Sequence, residues 1–346
     1  MKRAIAVLLL SGVLFNIHTV IGKTSPRKQS IPAKASISSE TPVIAAAGDI
    51  ACDLNSDKSD EESVSRETCH MQATADLLKS LNLTAVLPLG DNQYEDGTLE
   101  KFQKSYAPTW GKFLSITHPV AGNHEYETPG ASGYYKYFGA IAGDPTKGYY
   151  SYNIGQWHLI ALNANCSSVG GCQADSPQEK WLKADLLAHP ERCTLAYWHQ
   201  PRFSSALHGN NKDTDAFWQD LYQAGADIVL NGHDHDYERF APQTPNAKAD
   251  VKRGIREFVV GTGGRSLYPF ISEQPNSEVR NDDTYGVLEL KLYPKNYDWK
   301  FIPEQGKTFS DAGRGICHLV KAPPLKASMT LEQYRQDNAS ITGTVP

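Results

Sequence analysis

Residues 231–240, NGHDHDYERF, place two histidines and two aspartates within four consecutive positions. The apolar run ADIVL precedes them, and Gly232 stands directly before His233. A buried strand that ends in a sharp turn has this pattern. The stretch therefore predicts a strand whose carboxyl end delivers His233 and His235 to one turn.

Four other apolar runs also end at residues that bind metals or move protons. These residues are Asp49 in AAGDIA, Asp91 in LGDNQY, Asn123 and His124 in AGNHE, and His199 in YWHQP. In open α/β sheets, the loops at the carboxyl ends of the strands converge on ligands. Carboxylate and amide oxygens combined with imidazoles suit two neighbouring metal ions bridged by one carboxylate. We therefore expect five segments to build a dinuclear metal site at one edge of the sheet.

Each of these residues alone is explained better by an ordinary structural role. Asp49 and Asp91 are compatible with caps or turns, and His199 is compatible with a hydrogen-bonded core histidine. The HDHD run is compatible with an exposed chelating tract. The joint occurrence of these residues at strand ends favours the metal site. Within HDHD we expect Asp234 to be solvated, whereas Asp236 is compatible with solvent exposure or with orienting an imidazole.

Strand-like and helix-like segments alternate along most of the chain. Helical periodicity covers residues 66–81, 99–106, 177–187 and 213–223. Strand-like runs are VIAAAG, AVLPLG, THPVAG, WHLIALN, CTLAYWH, ADIVLNGH and REFVVGTGG, and TYGVLELKLY with YDWKFIP predicts a hairpin. This alternation predicts an α/β layered fold.

The amino terminus reads MKRAIAVLLLSGVLFNIHTVIG, in which Lys2 and Arg3 precede an apolar run too short to span a bilayer stably. Residues 1–22 are therefore predicted to be a cleaved signal peptide, which implies a secreted or periplasmic protein. An uncleaved amphipathic anchor is the alternative. Residues 23–41 contain too few large apolar side chains to form a core and are predicted to be a flexible linker.

The six cysteines, an even number, agree with export to an oxidising compartment. Sequence alone leaves about fifteen pairings open. Cys166 and Cys172 bracket the short loop CSSVGGC and are predicted to pair. The other predicted pairs are Cys52 with Cys69 and Cys193 with Cys317.

The charge balance argues against one class of partner. The chain has 34 basic and 39 acidic residues, a net charge of −5, and loss of Lys2 and Arg3 with residues 1–22 leaves 32 against 39, or −7. Bulk charge therefore does not predict nucleic-acid binding. No second apolar span follows the first, so no stable membrane span is expected, and the sequence indicates no oligomeric state. Attraction for an anionic substrate must come from local cations.

The ordered blocks GD, GDNQY, GNHE, WHQP and GHDHDYER resemble the calcineurin-like metallophosphoesterases, and within them the purple acid phosphatase branch. The cues for this branch are Tyr94, three residues after Asp91, and the extended GHDHDYER run. The resemblance covers about residues 43–240. It implies an α/β fold of four αββα layers, with two mixed β-sheets flanked by helices. Residues 42–303 would form the catalytic domain, and residues 304–346 a C-terminal extension tied to the body.

The resemblance also implies a role for each residue of the set. One metal would be bound by Asp49, Asp91, Tyr94 and His235, and the other by Asp91, Asn123, His199 and His233. His124, and His208 in SSALHGN, would lie near the substrate and not on a metal, as candidates for protonating the leaving group. Many family members carry a histidine or glycine two places after the first aspartate. Ala51 stands there in this chain, and the resemblance implies that Tyr94 would compensate for the missing histidine ligand.

The function implied is that of a secreted dinuclear phosphoesterase, most directly an acid phosphatase-like phosphomonoesterase acting on a small phosphate ester. A metal-activated hydroxide would attack phosphorus in line. Tyr94 implies Fe(III) with a divalent Zn, Mn or Fe partner. A phosphodiesterase of the same fold remains open, as does a metal-stabilised binding module without turnover.

Overall fold

The computed structural model describes residues 41–53, 69–190 and 193–318, and these residues contain twelve strands and six α-helices. The strands are β1 Val43–Ala47, β2 Ala85–Pro88, β3 Tyr150–Ile154, β4 Trp157–Ala161, β5 Cys193–Tyr197, β6 Ile228–Asn231, β7 Tyr237–Phe240, β8 Arg256–Val260, β9 Ser277–Asn281, β10 Gly286–Leu292, β11 Asn296–Pro303 and β12 Ala312–Ile316. The helices are α1 Met71–Ser80, α2 Leu99–Lys101, α3 Asn123–Tyr126, α4 Ser132–Phe138, α5 Pro177–Ala188 and α6 Asp215–Ala224.

The strands form two mixed sheets. The first has five strands in the order β12-β11-β10-β1-β2, in which only β1 and β2 run parallel. The second has seven strands in the order β3-β4-β5-β6-β8-β7-β9, and its four central strands, from β4 to β8, run parallel. The parallel strands β1, β2, β5 and β6 are the ones that lead into the motifs singled out in the sequence.

The sheets share one hydrophobic core, and helices cover their outer faces. On β5, Leu195 and Tyr197 point into the core between the sheets, whereas Ala196 packs with Leu182 of α5 and Leu221 of α6 on the other side. On the five-stranded sheet, α1 buries a stripe made of Met71, Ala75 and Leu78. The predicted four-layer αββα architecture is therefore confirmed.

The predicted strands match the structure with one exception. The segment THPVAG runs beside β2 and makes only isolated bridges, Val86 with Thr117 and Leu89 with Val120. Pro88 and Pro119 have no N–H group, so a continuous ladder cannot form between the two segments. The prediction of a regular strand there is wrong.

Three of the predicted helices lie where the periodicity placed them, although residues 102–106 continue α2 as a π-helical turn. The remaining predicted helix, residues 66–81, corresponds to α1, which begins at Met71. Residues 66–68 lie outside the described part of the chain. Cys69 is bonded to Cys52, and the ring of His70 stacks on Tyr285 with ring centroids 3.8 Å apart. Both residues are thereby held outside the helical path.

The structure confirms all three cysteine pairs: Cys52–Cys69, Cys166–Cys172 and Cys193–Cys317. Cys193 begins β5 of the seven-stranded sheet, and Cys317 directly follows β12 of the five-stranded sheet. The third disulfide thus joins the two sheets covalently.

The domain boundaries remain predictions. Residues 1–22, nearly all of the 23–41 linker and everything after residue 318 lie outside the described residues. In the described part of the proposed extension, β12 adds an edge strand to β11. Among the helices that the structure describes, none has the length and apolar content needed to cross a bilayer.

Candidate metal centre

Three residues of the predicted site have left-handed backbone conformations at the ends of strands. The φ angles are 61° at Asp49 after β1, 45° at Asp91 after β2 and 74° at His233 after β6. This region is unfavourable for residues other than glycine and is found mainly where the surrounding structure enforces it. Each turn is preceded by a glycine, which allows the backbone of neighbouring loops to approach closely.

Backbone N–H groups fix one oxygen of each of the two aspartates. Asp49 Oδ2 accepts a hydrogen bond from the N–H of His233 at 2.8 Å, and Asp91 Oδ1 accepts one from the N–H of His124 at 2.9 Å. A Cβ atom at Gly122 would lie 2.1 Å from Asp91 Oδ1, so no other residue fits there. The remaining oxygens, Asp49 Oδ1 and Asp91 Oδ2, face the other side chains of the site.

The hydroxyl of Tyr94 lies at the centre of the first group of potential ligands. Its oxygen is 2.8 Å from Asp49 Oδ1, 3.0 Å from Asp91 Oδ2 and 2.9 Å from His235 Nε2. His235 Nδ1 lies 2.5 Å from the carbonyl oxygen of Ser266, so Nδ1 carries the ring proton and Nε2 has a lone pair. A hydroxyl has one proton and cannot donate to three acceptors. This convergence of electron-pair donors fits a bound cation.

A second group forms around His199. Its Nε2 lies 3.0 Å from Asp91 Oδ2, and its Nδ1 lies 2.8 Å from the carbonyl oxygen of Leu89, so Nε2 is the nitrogen that faces the carboxylate. His233 Nδ1 is 3.3 Å from His199 Nε2. Ligand atoms of Asp91, His199 and His233 all lie within 4.8 Å of one another. Asn123 begins α3, and its Oδ1 is 3.5 Å from the amide nitrogen of Gln200.

The buried carboxylates of Asp49 and Asp91 stabilise positive charge on the groups next to them. Burial opposes ionisation of Asp91, but the charge of His199 above all outweighs it and holds the pKa of Asp91 well below its usual value. Burial also opposes protonation of His199, yet Asp91 and Asp49 raise its pKa to about 9. Burial and the neighbouring His199 lower the pKa of His233 to about 3. A bound metal cation would stabilise the ionised carboxylates in the same way.

The two histidines predicted to act near the substrate border this cluster. His124 Nδ1 lies 2.5 Å from the carbonyl oxygen of Glu95, and its Nε2 lies 3.9 Å from Asp91 Oδ2. The ring of His208 stacks on His233, with centroids 4.3 Å apart and planes 29° apart. The fold therefore brings both histidines to the edge of the site.

The sequence profile of the calcineurin-like phosphoesterases matches residues 43–237, which include all the predicted metal ligands and both bordering histidines. The chain belongs to the calcineurin-like phosphoesterase family. Its homologues place it in the purple acid phosphatase-like branch of the family.

Purple acid phosphatase 15 of Arabidopsis thaliana is 31% identical over 183 residues, which cover 46% of this chain and 33% of the relative. A second Arabidopsis thaliana relative, probable inactive purple acid phosphatase 1, is 25% identical over 262 residues, 64% of this chain and 41% of the relative. The chain thus matches only a third to two fifths of the length of these relatives.

Among solved structures, a purple acid phosphatase from yellow lupin superposes with a TM-score of 0.61 at 17% identity, covering 80% of this chain and 53% of that chain. At this identity the likeness concerns the fold alone.

The expectation that Asp234 of this phosphoesterase chain is solvated is wrong. The side chain is fully buried, and its Oδ1 accepts a hydrogen bond from the N–H of His208 at 2.9 Å. Asp236 is fully buried too, and neither of its carboxylate oxygens has a hydrogen-bond partner among the described residues. Within the HDHD run, His233 and His235 therefore face the cluster, whereas Asp234 faces the His208 loop and Asp236 is buried behind the cluster.

Sequence reasoning missed two residues that shape the phosphoesterase site. The buried carboxylate of Glu125 accepts hydrogen bonds from the N–H groups of Gly122 at 2.7 Å and Asn92 at 2.8 Å, which ties the turns beside Asn123 and Asp91 together. Glu125 follows directly on GNH, so its place in that block was the available signal. Tyr268 stacks flat on His235, with centroids 4.0 Å apart, and lies in a loop whose sequence carries no such signal.

Proposed function

We propose that the chain is a dinuclear metal-dependent phosphoesterase, and specifically a phosphomonoesterase. The observation that carries this proposal is the position of Asp91. Its Oδ2 lies 3.0 Å from Tyr94 Oη and 3.0 Å from His199 Nε2, between the two groups of potential ligands. One carboxylate oxygen between two such groups is the arrangement expected of a bridging ligand.

The residues divide between two cations as follows. Asp49, Asp91, Tyr94 and His235 would hold the first, and Asp91, Asn123, His199 and His233 the second. When bound, two metal ions in such a site neutralise charge on a phosphate group and increase the acidity of water. Hydrogen bonds from backbone N–H groups hold the carboxylates of Asp49 and Asp91 in place, so the proposed ligands need little rearrangement when metal ions bind.

Two histidines are the candidates for delivering a proton to the departing alkoxide. His124 keeps Nδ1 on the carbonyl of Glu95 and presents Nε2 beside Asp91, and 28% of its side chain is exposed to solvent. His208 lies over His233 on a separate loop. A positioned general acid contributes roughly a hundredfold or more in rate.

The metal pair is proposed to be Fe(III) with divalent Zn, Mn or Fe. A phenolate is a hard, anionic ligand that favours a trivalent ion, and Tyr94 is the phenol available here. Elemental analysis and a visible spectrum test this assignment. Iron together with a colour that Tyr94→Phe abolishes would support it, whereas an active, colourless preparation without iron would rule it out.

Hydrolysis of a chromogenic aryl phosphate and of a bis-aryl phosphate, each with and without chelator, tests the proposed activity. We expect chelator-sensitive turnover that is faster on the monoester. Faster turnover of the diester would identify a phosphodiesterase. No turnover at full metal occupancy would identify a binding module.

Export is proposed on the sequence of residues 1–22 alone. Expression in a host with a secretory pathway, followed by sequencing of the mature amino terminus, tests it. A mature chain that begins near residue 23 and is found outside the cytoplasm supports export. A retained, uncleaved terminus contradicts it.

A further inference from the structure

An exposed apolar surface borders the candidate metal centre. Residues 267–271, LYPFI, are five consecutive apolar or aromatic residues, and each of them is at least partly exposed. In a second loop, Leu207 directly precedes His208 and has 52% of its surface exposed. A run of exposed apolar side chains is unfavourable in water unless it serves a function, commonly as a binding surface. We call Leu207 and residues 267–271 together the apolar rim.

Hydrogen bonds join the two parts of the apolar rim. The N–H groups of Ile271 and Ser272 both donate to the backbone carbonyl oxygen of Ser205, at 2.9 and 3.0 Å. Ser205 belongs to the same loop as Leu207 and lies two residues before it. Ile271, with 64% of its surface exposed, is therefore held beside the loop that carries Leu207.

The inner end of the apolar rim contacts the proposed metal ligands. The backbone N–H of Tyr268 donates to the carbonyl oxygen of His235 at 2.9 Å, and the Tyr268 ring stacks on the His235 ring. The same tyrosine ring meets the ring of His208 edge to face, with centroids 5.6 Å apart. The ring of His208 in turn stacks on His233. The apolar rim is therefore continuous with the metal centre and is not a separate patch of surface.

The proposed reaction brings the organic part of a substrate to this surface. When the phosphate group binds the metal ions and His208 donates a proton to the departing oxygen, that oxygen lies within hydrogen-bond reach of the His208 ring. The carbon atoms attached to this oxygen continue away from the metal ions, on the side where Leu207 and Tyr268 lie. Contacts with a part of the substrate that does not react supply binding energy for the reaction.

We propose that the apolar rim binds the alcohol part of the substrate, and that this part is a hydrocarbon group. The inference rests on the proposed function and adds a substrate class to it, namely phosphate monoesters of apolar alcohols. Leu207 and Ile271 determine the specificity, because a hydrocarbon group that covers their exposed side chains removes apolar surface from water. Ligand sites commonly combine an apolar lining with a few polar groups that fix orientation, and here the metal ligands supply the polar groups.

Calorimetric titration of the full-length, metal-loaded protein with methyl-, butyl- and hexylphosphonate tests the proposal. A phosphonate has a P–C bond in place of the ester P–O bond, so it binds without being hydrolysed. A fully buried methylene group strengthens binding by about fourfold, and on an open rim we expect hexylphosphonate to bind about tenfold more tightly than methylphosphonate. The heat capacity change of binding should become more negative as the chain lengthens.

The titrations compare wild type, a double variant with Leu207→Ser and Ile271→Ser, and the control Val251→Ser. Val251 is an exposed apolar residue, with 83% of its surface accessible, and it lines a cleft with Asp227, which directly precedes β6. The control therefore lies at the amino ends of the parallel strands, whereas the metal centre lies at their carboxyl ends. We expect the control to keep the affinity ratio of wild type and the double variant to lower it to about twofold.

Equal affinities for the three phosphonates in wild type would overturn the proposal, and so would the absence of any binding. A ratio that stays at its wild-type value in the double variant would also overturn it. Aryl phosphate turnover is measured on the same preparations. Turnover without a dependence of affinity on chain length would leave the proposed function standing and remove this inference. A strong dependence without turnover would keep the apolar binding surface and contradict the proposed activity.

Discussion

The carboxylate of Asp234 accepts a hydrogen bond from the backbone N–H of His208, with 2.9 Å between oxygen and nitrogen. Asp234 lies between His233 and His235, so this bond ties the loop over the site to the turn that carries two proposed ligands. Glu238 holds the same loop from β7, because its Oε2 accepts a hydrogen bond from the N–H of Ser205 at 2.8 Å. The position of the His208 ring therefore depends on two buried acids behind the site.

We expect Asp234→Ala to lower kcat about tenfold at unchanged metal content. A buried N–H left without an acceptor costs about 1–3 kcal/mol, and about 1.4 kcal/mol corresponds to a tenfold change in rate. Asp234→Asn is the matched control, because its side-chain oxygen still accepts the bond from His208. Steady-state kinetics with elemental analysis checks this. Equal losses in both variants would mean that the charge of Asp234, and not its hydrogen bond, is what matters.

His124→Ala and His208→Ala are expected to retain two metal ions and to lose rate, since neither is a proposed ligand. Loss of a general acid should slow alkyl phosphates far more than activated aryl phosphates, whose leaving groups need little help. Turnover of both substrate classes at measured metal content separates the effects. An equal loss on both classes would assign that histidine to substrate positioning. Loss of metal from His124→Ala would contradict its placement outside the ligand set.

Asp91→Ala is expected to lose both metal ions and all measurable turnover, because one carboxylate is proposed to contact both ions. Asp96→Ala is a suitable control. Its carboxylate lies in the same segment but pairs with Lys101 at 3.0 Å. Metal per chain and aryl phosphate turnover are compared in the two variants. Retention of two ions in Asp91→Ala would show that Asp91 is not the bridge.

Stability should fall with rising pH because of Glu257. Burial raises the pKa of this carboxyl well above 4.5, although it accepts hydrogen bonds from the N–H groups of Phe203 and Arg202. Above pH 4.5 the unfolded chain releases this proton while the folded chain keeps it, so stability is lost as the pH rises toward the folded-state pKa. Glu257→Gln should flatten this dependence in urea unfolding series. A parallel dependence in the variant would assign it to other groups.

The disulfide between Cys193 and Cys317 should contribute more stability than the one between Cys166 and Cys172. The first spans 124 residues and the second spans 6, and in the chain-entropy model a longer closed loop restricts the unfolded chain more. Replacing the long-range pair by serines should cost about 2–5 kcal/mol in urea unfolding. A smaller loss than that from the short-range pair would contradict this ranking.

The turns that carry Asp49, Asp91 and His233 could be predicted because each strand is a plain apolar run and each turn begins with glycine. Such local signals survive in any tertiary context. Asp234 could not be placed, because its burial depends on a loop about 26 residues away in sequence. Nor could β12, whose sequence AGRGI has weak strand character and pairs only because β11 is already in place. The stacking of Tyr268 on His235 likewise depends on long-range packing.

The link between Cys193 and Cys317 also affects how a cut chain would behave. The loop that includes Leu207 lies between these cysteines, and 52% of the Leu207 surface is exposed. A protease that cleaves there would leave two fragments still held together through the disulfide and through the strands that each contributes. The nicked protein would migrate as one band until reductant is added. Intact mass on a non-reducing gel is therefore no proof of an uncut backbone.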